Sequence, residues 1–75
     1  MEKLKTVIYV NEYFQTFNIY TYENDYKEFI LKVEKRTIND QINPVFLLHF
    51  KNEKDQEQSK TNFIKMIKKA GFKKL

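Results

Sequence analysis

A six-residue run, Val45-Phe46-Leu47-Leu48-His49-Phe50, constrains this chain more than any other feature. Pro44 precedes it and Lys51 ends it. A run this short, aromatic and bounded by a proline predicts a strand covered on both faces. The cover must come from little material. The chain has 75 residues, enough for one small domain, 1–75, that buries about 60% of its unfolded surface. It has no cysteine, so neither a disulfide nor a thiolate metal site supports the core. Seven Phe and five Tyr must supply much of it, at ~150–250 Å² buried per ring-bearing side chain.

Two β-rich segments open the chain, Leu4 to Asn11 and Thr16 to Tyr22, with Glu12-Tyr13-Phe14-Gln15 as a four-residue loop between them. Setting Asn11 opposite Thr16 puts Val10, Ile8 and Thr6 on one face with Phe17, Ile19 and Thr21. The other face then carries Lys5, Val7 and Tyr9 with Tyr22, Tyr20 and Asn18. Asp25, with Glu28 three residues on, matches a helix N-cap and its reciprocal partner. Tyr26, Phe29, Ile30 and Val33, with Thr37 as a candidate extension, then form a helical stripe, with Leu31 and Ile38 off it. This predicts a first helix that fades near Ile38 to Asp40, followed by a polar connection, 39–44.

For the last helix the caps Asp55 and Ser59 remain alternatives. Its apolar side is Phe63, Ile64, Met66, Ile67 and Ala70. Gly71 stands where a left-handed cap belongs, and Phe72 then folds back on Ile67. The expected fold is α+β and two-layered, in the order β-β-α-β-α. Three mainly antiparallel strands, in the order 2-1-3 if the strand after Pro44 pairs beside the first, carry two helices on one face, over a core of Ile8, Ile19, Phe29, Val33, Phe63 and Ile67.

No residue pattern carries a chemical signature. His49 is the single histidine, and without a second histidine or a cysteine it makes no ordinary zinc site. Ser59, the one serine, has no evident activating base. Glu53, Asp55 and Glu57 alternate as in a calcium loop but lack its glycine. With one glycine there is no phosphate-cradling loop. The expectation is a protein with no catalytic residue, cofactor, metal or small-molecule substrate.

Charge is distributed unevenly. Residues 58–75 hold Lys60, Lys65, Lys68, Lys69, Lys73 and Lys74 and no acid, a charge of +6 against +4 for the whole chain, which leaves −2 on residues 1–57. Lysines near a helix C-terminus also complement the macrodipole, so a solvated face is the plainer explanation of this cluster. The functional reading joins Lys65, Lys68, Lys69, Lys73 and Lys74 to a sheet face of Lys5, Tyr9, Tyr20 and Tyr22, as a surface that contacts phosphates and stacks unpaired bases. The expected partner is nucleic acid or a nucleic-acid-handling enzyme. The rival is a protein–protein module: a small dimeric adaptor, as a homodimer, or an inhibitor of the phage or mobile-element type that occludes a larger enzyme. Val7 to Val10 is too short for a signal-peptide core or a membrane span, so the sequence predicts a cytoplasmic protein without a membrane partner.

Overall fold

The computed structural model describes residues 3–75. Its elements are β1 (Lys5–Val10), β2 (Thr16–Glu23), β3 (Phe29–Arg36), β4 (Ile42–Phe50), α1 (Glu53–Lys69) and β5 (Lys73–Lys74). The strands form one antiparallel sheet in the order β4-β3-β2-β1-β5. The fold is α+β, but the described residues form five strands and one helix where three strands and two helices were expected.

Local chemistry makes the first four strands a meander. Asn11 Oδ1 accepts the Tyr13 and Gln15 N–H groups at 3.0 Å each, and Asn11 Nδ2 donates to Gln15 Oε1. Asn24 does the same with Tyr26, Glu28 and the Glu28 carboxylate. Thr37 replaces asparagine in the third turn, where its hydroxyl accepts the Gln41 N–H. In each turn the fourth residue is left-handed: Phe14 at φ 62°, Lys27 at 60° and Asp40 at 61°. These positions recur every thirteen residues (14, 27, 40), a periodicity of strand plus turn that the amino-acid pattern hides. Asparagine suits the first position because its short amide imitates a backbone turn.

These turns account for both errors of expectation. In the first hairpin the Asn11 N–H bonds the Gln15 carbonyl, so Val10 faces Thr16 and Val7 faces Ile19. That is one residue away from the expected register, and a one-residue slip exchanges the faces. In the second, Glu28 closes the Asn24 turn instead of capping a helix. The expected first helix is therefore strand β3, bonded to β2 on one side and β4 on the other. Leu31, which fitted no helical stripe, is fully buried beside Val33 on the helix-facing side. The β-rich composition of Phe29-Ile30-Leu31 and the sheet on both flanks outweigh a weak helical preference.

The final helix starts from neither expected cap. Asn52 caps it, accepting the Asp55 N–H at 2.8 Å. Its end is as expected. Gly71 takes φ 96°, its N–H reaches the Lys68 carbonyl, and the Phe72 N–H reaches the Ile67 carbonyl, which is a Schellman closure. Phe72 thereby turns under the helix and leads into β5. The core lies between α1 and one sheet face: Tyr9, Ile19, Leu31, Val33, Phe63, Ile67 and Phe72. Phe63 meets Phe17 and Phe46 edge-on at 5.3 and 5.2 Å. Gln56, buried in the first turns of α1, donates to the Tyr22 and Ile30 carbonyls at 3.2 and 2.7 Å and so pins the helix to the β2–β3 pair. Of the expected core, Ile19, Val33, Phe63 and Ile67 belong to it. Ile8 stands on the opposite face, and Phe29 is half-buried at the sheet's end.

Truncating Leu31 to Ala should cost about 2–5 kcal/mol, and Phe29→Ala should cost less because Phe29 is only half-buried; urea unfolding of the two variants checks the order. Lys27→Gly should raise stability by ~1 kcal/mol, since glycine takes the left-handed region without the Cβ clash. Asn24→Ala should lower it by about 1–3 kcal/mol through the lost turn bonds.

Candidate interaction surfaces

Strand alternation assigns each expected site residue to a face. Tyr20 and Tyr22 of β2 share the sheet face away from α1 with Lys32 and Glu34 of β3, and with these and Leu4 they line a shallow recess. The recess is electrostatically closed on itself. Lys32 Nζ lies 3.2 Å from Glu34 and above the Tyr20 ring, and the Tyr20 hydroxyl donates to the Glu34 carboxylate at 3.4 Å. Tyr9 is not on this face. It is 5% exposed and part of the core, because the observed register turns it toward α1. Lys5 faces Thr21, on the helix side, beside Glu53 and Glu57. Lys65, Lys68 and Lys69 are exposed on α1, which covers the sheet face opposite Tyr20 and Tyr22. Lys73 and Lys74 lie in β5, paired with Val10 and Tyr9. One continuous tyrosine-and-lysine surface therefore does not form; the expected residues divide among two opposite faces and an edge.

The sequence pattern understated a different surface. The Val45–Phe50 run lies in β4, a nine-residue strand at the border of the sheet, not in its middle. Its register with β3 slips between Val33 and Glu34, a bulge beside Pro44. Ile42, Val45, Leu47 and Leu48 are 49, 43, 51 and 40% exposed, so the expected cover on both faces is missing. The free edge also offers backbone groups. Glu28 closes the β2–β3 turn onto Asn24 and Gln41 the β3–β4 turn onto Thr37. Bonding alternates along antiparallel strands. Odd-numbered β3 residues therefore bond β4, and their partners Phe46, Leu48 and Phe50 point inward. The N–H and C=O groups of Leu47 and His49 point out. The legible signal was the absence of Asp, Glu, Lys and Arg from Ile42 to Phe50.

The other edge contrasts with it. Strand β5 has two residues, both lysines, and the Leu75 N–H continues its pairing onto the Ile8 carbonyl. A short, lysine-bearing edge resists further pairing. Large exposed side chains also mark the turn tips: Tyr13, Phe14, Tyr26 and Ile38.

On β4, His49 Nδ1 lies 3.4 Å from Glu28. The Glu28 carboxyl is held below its ordinary value, chiefly by the Asn24 amide hydrogen bond; desolvation opposes the shift and the His49 imidazole adds to it. A depressed carboxylate contributes stability above its unfolded-state pKa and loses it as pH falls through the folded value. Asn24→Ala should therefore raise the Glu28 titration midpoint more than His49→Gln does, as carboxyl NMR shifts would read. Among the described residues no three His, Cys, Asp or Glu side chains cluster as metal ligands, and no helix is long and apolar enough to cross a membrane. The chain matches no known protein family, no curated protein and no solved structure.

Proposed function

We propose that this chain is a non-catalytic binding protein that works by adding a strand of a second polypeptide chain to the free edge of β4. The observation that carries the reading is the contrast between the two sheet edges, one nine residues long without Asp, Glu, Lys or Arg, the other made of the two lysines of β5 and residues 5–7 of β1, which begin with Lys5. Main-chain bonds to Leu47 and His49 would give affinity, and the alternating exposed side chains of β4 would give specificity. A cytoplasmic setting belongs to the same proposal and accords with a chain that has no cysteine.

The test uses immobilised protein and nuclease-treated extract of the host cell. Wild type should retain a defined protein partner and Leu47→Lys should lose it. Leu47 is 51% exposed, so the lysine should change stability by no more than ~0.5 kcal/mol. Retention that requires nucleic acid and ignores the edge variant would overturn the reading.

A second reading has its own observation. The acids of α1, Glu53, Asp55 and Glu57, all lie in its first turns, and the exposed Lys65, Lys68 and Lys69 follow them without another acid. Such a face would bind phosphate backbone through charge alone, with affinity falling steeply as salt rises. Changing all three lysines to Gln should flatten that salt dependence while leaving the fold intact, because Lys and Gln have similar helix propensity. If wild type shifts neither single- nor double-stranded oligonucleotides in low salt, well above the ~10⁻⁴–10⁻⁶ M of non-specific binding, the lysines are a solvated face.

A further inference from the structure

Resting on the edge-strand reading, we infer that the strand received by β4 is β4 of a second copy, paired antiparallel about a two-fold axis at Leu48. Three features select this partner and this register.

The first is the sequence of β4 itself. With Leu48 opposite Leu48 of the second copy, Phe46 meets Phe50 and Leu47 meets His49. Phe46, Leu48 and Phe50 share the helix-facing side, since they pair with Val33, Leu31 and Phe29. The union thus forms an unbroken apolar stripe across the seam. The nearest fixed charge, Lys51, falls opposite Val45, so no like charges meet. The outward amides of Leu47 and His49 receive the main-chain bonds.

The second feature is where the pairing stops. Pro44 has no N–H, and the bulge between it and Phe46 breaks the ladder. An axis at Leu47 would carry both irregularities into the new ladder, opposite His49 and Phe50. An axis at Leu48 leaves them outside it.

The third is the flank of α1. Glu53 and Glu57 lie on the β1–β2 side, near Lys5 and Tyr22. The helical turn places Met66 on the other flank, toward β4, and it is 59% exposed. A second copy on the β4 edge lies on the flank of α1 that carries this methionine. The lysine-bearing β5 edge, in contrast, discourages head-to-tail addition, so the assembly closes as a dimer and does not extend into a filament.

The experiment combines sedimentation with one cysteine. Leu48→Cys introduces the sole thiol of a chain that has none. Directly opposed residues in a non-hydrogen-bonded pair have Cα atoms about 4.5 Å apart, within the disulfide range. With a mild oxidant the variant should cross-link into dimers at least tenfold faster than Leu47→Cys or the helix control Lys68→Cys. Wild type should pass from monomer to dimer between about 1 μM and about 1 mM, the range open to a small interface, and Leu47→Lys should shift that transition at least tenfold upward. Circular dichroism checks that each variant is folded. A wild type that stays monomeric, with Leu48→Cys no faster than Lys68→Cys, overturns the inference and leaves capture of a different protein on β4 as a separate result. A dimer that resists Leu47→Lys and does not cross-link through position 48 also overturns it, because the contact then lies elsewhere.

Discussion

A single asparagine amide closing a five-residue turn sets the terms for the rest of this molecule. At Asn11 and again at Asn24, one side-chain oxygen takes two backbone N–H groups and the amide nitrogen reaches the side chain that ends the turn. The turn fixes which residues face each other across the hairpin. Facing residues fix the alternation, and the alternation decides which side chains the helix covers. Tyr9, Ile19, Leu31 and Val33 are core residues because the turns place them on one side; one residue of slip would have exposed them. The left-handed φ at Phe14, Lys27 and Asp40 is a strain that these closures hold in place.

The helix then acts as a lid with two fastenings. At its start, Gln56 reaches two carbonyls on neighbouring strands. At its end, the closure around Gly71 turns Phe72 under α1, with its ring 4.7 Å from Phe17. Phe63 sits between Phe17 and Phe46. Helix, strand β2 and strand β4 thus share an aromatic cluster, and edge-to-face rings add ~0.5–1.5 kcal/mol per pair to their burial. The helix packs on β3 and β4, yet Leu48 on the helix-facing side of β4 stays 40% exposed, and Ile42 and Leu47 stand on the face that no helix covers.

That shortfall gives the molecule its asymmetry. At one border the sheet carries the two lysines of β5 beside residues 5–7 of β1; where β4 lies, apolar side chains and unpaired backbone groups meet solvent together. The charged surface is separate, on the far side of α1 from Tyr20 and Tyr22. Any partner that needs both base stacking and lysine contacts would have to reach around the domain, whereas a partner strand at β4 finds backbone bonds and apolar contacts on one line.

The sequence alone determined the elements whose signals are local. The β-rich segments on either side of the first turn, the strand after Pro44 and the helix around Phe63 and Ile67 are legible from residue type and spacing. The end of α1 is legible too, because only glycine enters the left-handed region at little cost. The tertiary structure decided the rest. Phe29, Ile30 and Val33 satisfy a helical stripe as well as a strand, and only bonds to β2 and β4 choose between them. Asp25 and Glu28 resemble a helix cap until Asn24 is seen to use Glu28 for a turn. The hairpin register depends on one left-handed residue, Phe14, that its side chain does not announce. The site followed the register: Tyr9 went to the core, Lys5 to the helix side, and the lysines of α1 to the face opposite Tyr20 and Tyr22. The apolar run in β4 was plain from the start, but its place at an edge was not, because strand order is set by the number of turns that precede it and not by its own residues.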